Sequence, residues 1–373
     1  MVALAGAIAL PFAELRPNRL VPGSLHSLSD AGVWMYGVWF LLGLALFSAV
    51  APSAKARSAA STASAYGLVA VVAWALGETA RTLLVGQTAI ARVSIGAGAW
   101  VILMGAAIVG FAGGGERKRF LIRRAGPPVL LLVAIAAALM WGGLERISLA
   151  REFEVRADSF WQLLGGHLAL SGAGVALGGL IGVPLGLWAT RNRQVRAVVI
   201  GVTGVIQTVP SLALLGLLII PLSALGNAVP FLRDLGVRGI GAAPGLVALT
   251  LYALLPIVRN TYVGMSEVDP AAIDAGRGMG MSSWQLLTRV ELPLALPLIM
   301  EGLRTASVLL VGITTLTVFA GARNLGVLIF EGLGQFAPDL ILLGALPIIA
   351  LAVVVDAALS ALKKALTPEG VRA

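Results

Sequence analysis

Long uncharged runs, each about as long as a bilayer is thick, constrain this chain more than anything else in it. A hydrocarbon core of ~30 Å needs roughly 20 apolar residues per helix. Runs of that order lie near 33–51, 66–86, 93–113, 126–144, 160–189, 197–222, 239–258, 294–320 and 338–362. Hydrophobic residues make up 58% of the chain and charged ones only 12%, where an ordinary soluble domain carries about a quarter. No soluble fold covers so much apolar surface. In lipid every backbone N–H and C=O must find a partner inside the protein, so each run is read as a helix. The expected fold class is an all-α polytopic membrane protein. The opening "MVALAGAIALPFA" is apolar but short, and no basic segment precedes Val2 as in a secretory leader, so it is read as a first spanning or half-spanning helix.

Composition excludes several kinds of chemistry. The chain has no cysteine and only two histidines, His26 and His167. That removes disulfides, thiolate metal sites and a cysteine nucleophile, and argues against a protein-built transition-metal centre. The net charge of +9 is assigned to cytoplasmic loops rather than to nucleic acid, because no basic run is interleaved with aromatics.

Counting the opening stretch as a span gives ten, which places both termini on one side. The loop "GGGERKRFLIRR" holds Arg117, Lys118, Arg119, Arg123 and Arg124. Loops expected on the same side carry Lys55 and Arg57, then Arg191, Arg193 and Arg196, then Arg259, Arg277 and Arg289, with Lys363, Lys364 and Arg372 in the tail. More than half of the 27 basic residues thus share one face, which is read as cytoplasmic. Arg16, Arg19, Arg146, Arg151 and Arg156 fall on the other.

The texture of the chain changes near residue 145. Plain helices come first and form an accessory N-terminal bundle, residues 1–145. The polar "RISLAREFEVRADSFW" supplies an extracytoplasmic linker at 146–159, and a core over 160–364 is rich in Gly and Pro, with a cytoplasmic tail at 365–373. Gly178, Gly182 and Gly186 share one helical stripe, a spacing that lets helices approach closely in lipid. Pro184, Pro210, Pro221, Pro256 and Pro297 are expected to kink or break their helices.

One stretch of the core is out of character. "IDAGRGMGMSSWQLLTRVELP" (273–293) carries charge, caps and loose glycines between two apolar runs. Asp269-Pro270 is a good helix start, with Asp as N-cap and Pro at the first helical position. Gly276, Gly278 and Gly280 allow a turn, Ser282 and Gln285 have capping-box spacing for a second short helix, and Pro293 marks the return to the membrane. Pattern alone leaves two readings of this helical pair: a surface for a docking protein, or an interfacial helix resting on lipid headgroups.

This stretch resembles the cytoplasmic coupling loop of binding-protein-dependent ABC importer permeases. That family's loop reads Glu-Ala-Ala, three residues, Gly, nine residues, Ile, one residue, Leu-Pro. Counting back from Leu292-Pro293 puts Val290 at the Ile position, Gly280 at the Gly and Asp274-Ala275-Gly276 at the triplet. "VIQTVPSLALLGLL" (205–218), "LYALLPIVRNTYVGM" (251–265) and "RGMGMSSWQLLTRVELPLALPLIMEGLRTA" (277–306) are similar to the glycine betaine/carnitine/choline, or osmoprotectant, branch of that family. "LPFAELRPNRLV" (10–21) and "ARVSIGAGAW" (91–100) resemble its longer members.

The resemblance implies a type I ABC importer transmembrane fold in the C-terminal half, preceded by the accessory bundle. It implies that the loop 264–291 couples the helices to a cytoplasmic ABC ATPase subunit, with Asp274, Ala275, Gly276, Arg277, Gly280, Met281, Val290, Leu292 and Pro293 as coupling residues. Small Ala275, Gly276 and Gly280 would allow close docking, and Asp274 and Arg277 would pair with the partner at its rim. Further implied partners are an extracytoplasmic solute-binding protein and a second permease, either another copy or a shorter paralogue, in the inner membrane. No lysine follows a glycine, so the chain holds no Gly-Lys-Ser/Thr phosphate loop. No cofactor is expected on this chain; ATP and Mg belong to the partner ATPase. With the last span ending near 362, the binding protein is also expected on a separate chain.

Candidates for the translocation pathway are Gln207, Thr208, Pro210 and Ser211 at a broken helix, and Arg304 and Asp356 inside the last two spans. For Arg304 and Asp356, pairing with each other or with Glu301 is the favoured reading over substrate contact. Glu78 and Arg81 are read as an intrahelical pair, and His167 as satisfied by a neighbour. The outer turn "FAGARNLGVLIFEGLGQFAPDL" (319–340) has Ala322-Arg323-Asn324 where the family usually shows glycines. No aromatic cage for a quaternary ammonium is visible in the spans. Competing functions are an ion-coupled secondary carrier, which would leave the cytoplasmic helix pair unexplained, and a non-transporting sensor or scaffold. A membrane enzyme is weaker still, because no paired catalytic groups share a face.

Overall fold

The computed structural model describes residues 2–18, 21–88, 90–112 and 144–367. The basic loop 113–124, nearly all of the span expected at 126–144 and the end of the tail lie outside them. The chain separates into two compact units, Met1–Ala157 with Leu328–Leu346, and Asp158–Val327 with Pro347–Ala373.

The first unit contains α1 (Val2–Ala9), β1 (Ala13–Arg16), β2 (Ser24–His26), α2 (Trp34–Val50), α3 (Ala54–Leu83), β3 (Arg92–Ile95) and α4 (Ala97–Ala112). The chain is helical as expected, with a small antiparallel sheet added, in the order β2-β1-β3. Ala13 pairs with His26 on one side and Ile95 on the other. Strand periodicity puts Ala13 in the core, while Glu14 and Arg16 share a face and form an ion pair at 2.9 Å. Gly96 makes the sheet's close end possible, since a Cβ there would lie 2.6 Å from the Phe12 carbonyl carbon. The span expected at 93–113 therefore opens as a strand and becomes helical only at Ala97. α1, at eight residues and roughly 12 Å long, is too short to cross a bilayer.

α3 starts twelve residues before the expected 66, because Ser53 accepts a hydrogen bond from Ala56 N–H and caps a helix-favouring Ala/Ser stretch. Glu78 and Arg81 lie 3.6 Å apart on its surface, as their spacing predicts. Val38, Leu68, Val72 and Ile102 fill the core between α2, α3 and α4. Residues 328–346, which the sequence divides between the outer turn and the start of the last span, belong to this unit. There Asp339 accepts a hydrogen bond from Ser94 at 2.8 Å, and Arg156 donates to Glu331 at 3.1 Å. The buried Glu152 pairs with both Arg92 and Arg156.

The long helix α5 (Ser148–Arg191) has 44 residues, about 66 Å at 1.5 Å per residue. Its first turns are the polar segment read as a linker at 146–159. The chain continues with α6 (Arg193–Thr208), α7 (Ser211–Ala228), α8 (Pro230–Asp234), α9 (Ala242–Ser266), α10 (Pro270–Gly278), α11 (Ser283–Leu286), α12 (Leu292–Thr314), α13 (Gly326–Gly334) and α14 (Pro338–Leu366). Among the described residues, 56–83, 148–191, 211–228, 242–266, 283–320 and 338–366 are long and apolar enough to cross a membrane.

The single span expected over 197–222 is corrected. Pro210 ends α6 at Thr208 and α7 restarts at Ser211, so only α7 has spanning character. Pro184, Pro221, Pro256 and Pro297, expected to kink or break their helices, lie inside continuous ones.

α9 is the packing centre of the second unit, with Leu249, Ala253 and Ile257 fully buried. The glycine stripe on α5 meets it in register. A Cβ on Gly174 would meet Leu249 at 2.9 Å, one on Gly178 Ala253 at 2.5 Å, one on Gly182 Ile257 at 3.0 Å and one on Gly186 Thr261 at 2.6 Å. Each step of four on one helix is a step of four on the other, so side chains of α9 seat directly on the bare backbone of α5. On its other side α9 packs on α12, where Gly302 and Gly264 play the same part against Pro256 and Ala295.

Candidate coupling loop and membrane charge network

The polar stretch folds as two capped helices closed on each other. Asp269 accepts from Ala271 N–H at 2.8 Å and starts α10. The helix ends in a Schellman motif: Gly280 N–H donates to Arg277 O at 2.9 Å and Met281 N–H to Gly276 O at 3.1 Å. Gly280 supplies the φ of +75° that this turn requires. Ser282 then accepts from Gln285 N–H while the Gln285 side chain accepts from Ser282 N–H, the full capping box.

The residues expected to couple differ in exposure. Asp274, Ala275, Arg277 and Gly280 are exposed, and Asp274 and Arg277 lie 3.5 Å from each other. Gly276 is buried, because it is where the two short helices touch: a Cβ would come within 2.8 Å of Leu286 and 3.7 Å of Val290. Its small size closes the loop on itself instead of opening it to a partner. Met281, Val290, Leu292 and Pro293 are half-buried. Beside the exposed four stand Met279 and Trp284, 70% and 71% exposed, two large apolar side chains on a polar loop.

Pro293, expected at the return to the membrane, lies in the first turn of α12. After α11 the chain makes one π-helical turn, Leu287–Glu291, and runs on into α12 without a break. The buried Glu291 in this turn pairs with Arg191, the last residue of α5.

In the membrane-spanning part, Arg304 on α12 holds Asp356 on α14 through two hydrogen bonds, 2.6 and 3.0 Å, and also donates to Glu301 at 3.1 Å. Lys363 closes the set with 2.8 Å to Glu301. Two cations face two carboxylates, with each formal charge balanced. His167 is fully buried and bonded through Nε2 to Val311 O at 2.9 Å.

Gln207 serves a backbone need. Pro256 lacks the N–H that would satisfy Tyr252 O one turn earlier. Gln207 Nε2 donates to that carbonyl at 3.1 Å, and Tyr252 Oη donates to Val209 O, at the helix break, at 2.6 Å. Each interruption is thus repaired by a side chain from the other. Thr208 bonds back to Val205 O and is exposed, as is Pro210; Ser211 is half-buried. Beyond the last 3₁₀ turn, the buried Asn324 donates to Thr317 Oγ1 at 3.0 Å and accepts from Gly326 N–H at 2.8 Å. The Asn that replaces an expected glycine therefore ties the turn down from within.

Residues 182–368, half of the chain, match the family of binding-protein-dependent transport system inner membrane components, and residues 1–150 match the N-terminal domain of the ABC transporter permease YehY. The chain belongs to the binding-protein-dependent permease family. It is 45% identical over 212 residues to the carnitine transport permease protein OpuCB of Listeria monocytogenes, a match covering 57% of this chain and 88% of that protein. To the choline transport system permease protein OpuBB of Bacillus subtilis (strain 168) it is 40% identical, over 55% of this chain and 88% of the other. To the osmoprotectant import permease protein OsmW of Salmonella typhimurium it is also 40% identical, over 55% and 91%. A solved structure of the MetNI methionine ABC transporter, in an inward-facing conformation, aligns at TM-score 0.49 and 23% identity over 58% of this chain and 99% of its own. The permease is accordingly a multi-pass inner-membrane transport subunit and not an enzyme, and the secondary-carrier and scaffold readings fall away.

Sequence reasoning missed the Arg191–Glu291 pair, the Tyr252–Gln207 exchange and the exposed Met279 and Trp284. A signal existed for the first: Glu291 is an acidic residue one position before the Leu-Pro that re-enters an apolar run, where an unpaired carboxylate is costly.

Proposed function

We propose that this permease is the membrane subunit of an ATP-driven importer for a compatible solute, glycine betaine or a related quaternary amine, and that the loop 264–291 couples it to a separate cytoplasmic ABC ATPase carrying ATP and Mg. The observation that supports this most is the loop's construction. Two capped helices close over Gly276, leave Asp274, Ala275, Arg277, Met279 and Trp284 outward, and continue through the π-turn into a spanning helix. A docked partner that moves the loop moves α12 with it. The solute class follows from the printed substrates of the relatives, carnitine, choline and osmoprotectants. A solute-binding protein delivers solute from outside, a second permease copy or a shorter paralogue completes the pathway, and the C-terminal tail faces the cytoplasm. Thr208, Pro210 and Ser211, at the break between α6 and α7, are the pathway-lining candidates; Gln207, Arg304 and Asp356 act as structural ties.

The natural sequence contains no cysteine, so a single probe can be placed cleanly. Cysteine at Ala275, paired with one in the groove of the ATPase that co-purifies with the chain, forms an oxidative cross-link in native membranes that weakens on adding ATP. A freely labelled Ala275→Cys chain that never cross-links, with the ATPase present, rejects the coupling role. Uptake of radiolabelled glycine betaine, choline and carnitine in cells lacking other importers decides the solute class.

A further inference from the structure

We infer that Glu291 and Arg191 form a positioning pair that ties the coupling loop to α5, so that movement of the loop reaches the glycine-packed α5–α9 pair as well as α12. This rests on the coupling reading above.

Glu291 is only 3% exposed, and its Oε2 is held by the Arg191 guanidinium, which is itself 58% exposed. A buried carboxylate whose partner is removed loses several kcal/mol of compensation, so the pair holds its geometry. The pair occupies a mechanical junction. Glu291 closes the π-helical turn Leu287–Glu291, a wide and rare turn that recurs at functional sites. Leu286, just before this turn, and Val290, within it, receive Gly276 of α10. Immediately after it, Leu292 N–H donates to Leu287 O and α12 begins.

Arg191 is the last residue of α5, five residues beyond Gly186, where α5 lies against Thr261 of α9. Without the pair, the loop is joined covalently to α12 and to α9 but to α5 only by packing. With it, three spanning helices share one anchor at the loop's base. Asn192, which follows, caps α6 by accepting from Gln194 and Val195 N–H, so the end of α5 is also fixed to the next helix.

The test uses the full chain purified with its co-purifying ATPase and binding protein, reconstituted in liposomes, with radiolabelled glycine betaine as the probe. The readout is ATP hydrolysed per solute imported, which a loss of folded protein does not change. Glu291→Gln keeps size and removes charge. It raises the ratio about fivefold or more, the lower end of ordinary coupling energies. Arg191→Gln does the same from the exposed side and serves if the Glu291→Gln protein does not assemble. The exchange Arg191→Glu with Glu291→Arg returns the ratio to within about twofold of the natural protein, because the attraction is restored. An unchanged ratio in the single variants overturns the inference, and so does an exchange that fails to restore it. The Ala275→Cys cross-link is run in each variant. Its loss in the otherwise natural chain rejects the coupling reading itself, whereas a retained cross-link with an unchanged ratio rejects only the positioning pair.

Discussion

Two helix pairs in the second unit are held together in opposite ways. α5 and α9 meet through Gly174, Gly178, Gly182 and Gly186, with no polar group exchanged along the seam, and the backbones come as near as glycine permits. α12 and α14 meet through charge: Arg304 with Asp356 and Glu301, and Glu301 with Lys363. Apolar burial gives little drive inside a bilayer, since lipid tails are as apolar as leucine. The glycine seam relies on dense dispersion contact and tolerates nothing added. The charged seam relies on a few strong contacts and tolerates nothing removed. A seam of glycines against the first carbons of facing side chains fixes distance and register, and one built from long side chains allows its helices to shift while the contacts persist.

Four experiments separate these behaviours, from the largest expected effect to the smallest. Gly178→Leu puts its first carbon 2.5 Å from Ala253 Cβ, an atom that no side-chain rotation can move aside. Overpacking costs about 1–3 kcal/mol in an ordinary core, and here the upper end or beyond is expected, read as a fall in apparent melting temperature and folded yield in detergent. A protein that melts like the natural one shows the seam to be loose.

Arg304→Met leaves Asp356 without its bidentate partner, and a destabilisation of about 2–3 kcal/mol follows, below the fully buried figure because the pair is partly exposed. The decisive comparison is with Arg304→Met plus Asp356→Leu, which restores most of the loss. If the double variant is as damaged as the single one, the charges contribute more than mutual neutralisation.

Gln207→Leu strands the carbonyl that Pro256 leaves without a donor. It costs about 1–3 kcal/mol, as an unpaired buried acceptor does, toward the lower end because Gln207 is half-buried, with faster hydrogen exchange around 252–258. An unchanged exchange rate shows that solvent already serves this carbonyl. Ser282→Ala removes half of the capping box and costs about 1 kcal/mol, visible as faster exchange in 283–286 with the spanning helices unaffected. A global effect from this change would mean that the loop and the seams unfold together.

The local grammar of the coupling loop was legible because its signals are short-range. Asp269 caps, Pro270 starts, Gly280 turns and Ser282 with Gln285 boxes, each within three or four residues. The glycine stripe was legible from its period, although the partner residues on α9 were not, since register between helices far apart in sequence leaves no mark on either one. The sheet escaped for the same reason: β1 and β3 lie on either side of two long helices, and four residues of alternation are lost beside an apolar run. Which prolines break their helices was not legible, because a proline breaks a helix only when its neighbours do not repair it. Pro256 is repaired by Gln207, whereas Pro210 ends its helix. Gly276 was read as outward-facing because small size favours close approach on either side of a helix, and only its neighbours Leu286 and Val290 show which.

The π-turn carries a consequence for how the chain tolerates length changes. A helix advances about 100° per residue, and a π-turn accommodates one residue more than the α-helix around it, so Leu287–Glu291 absorbs an extra residue with little change of phase between α11 and α12. Removing one residue there would restore an uninterrupted α-helix and leave Trp284 facing nearly as before, whereas removing one from the regular helix beyond it would swing that face by about 100°. Length changes are therefore tolerated unequally along this stretch: the wide turn can give up a residue, and the α-helix that follows cannot without re-aiming the loop.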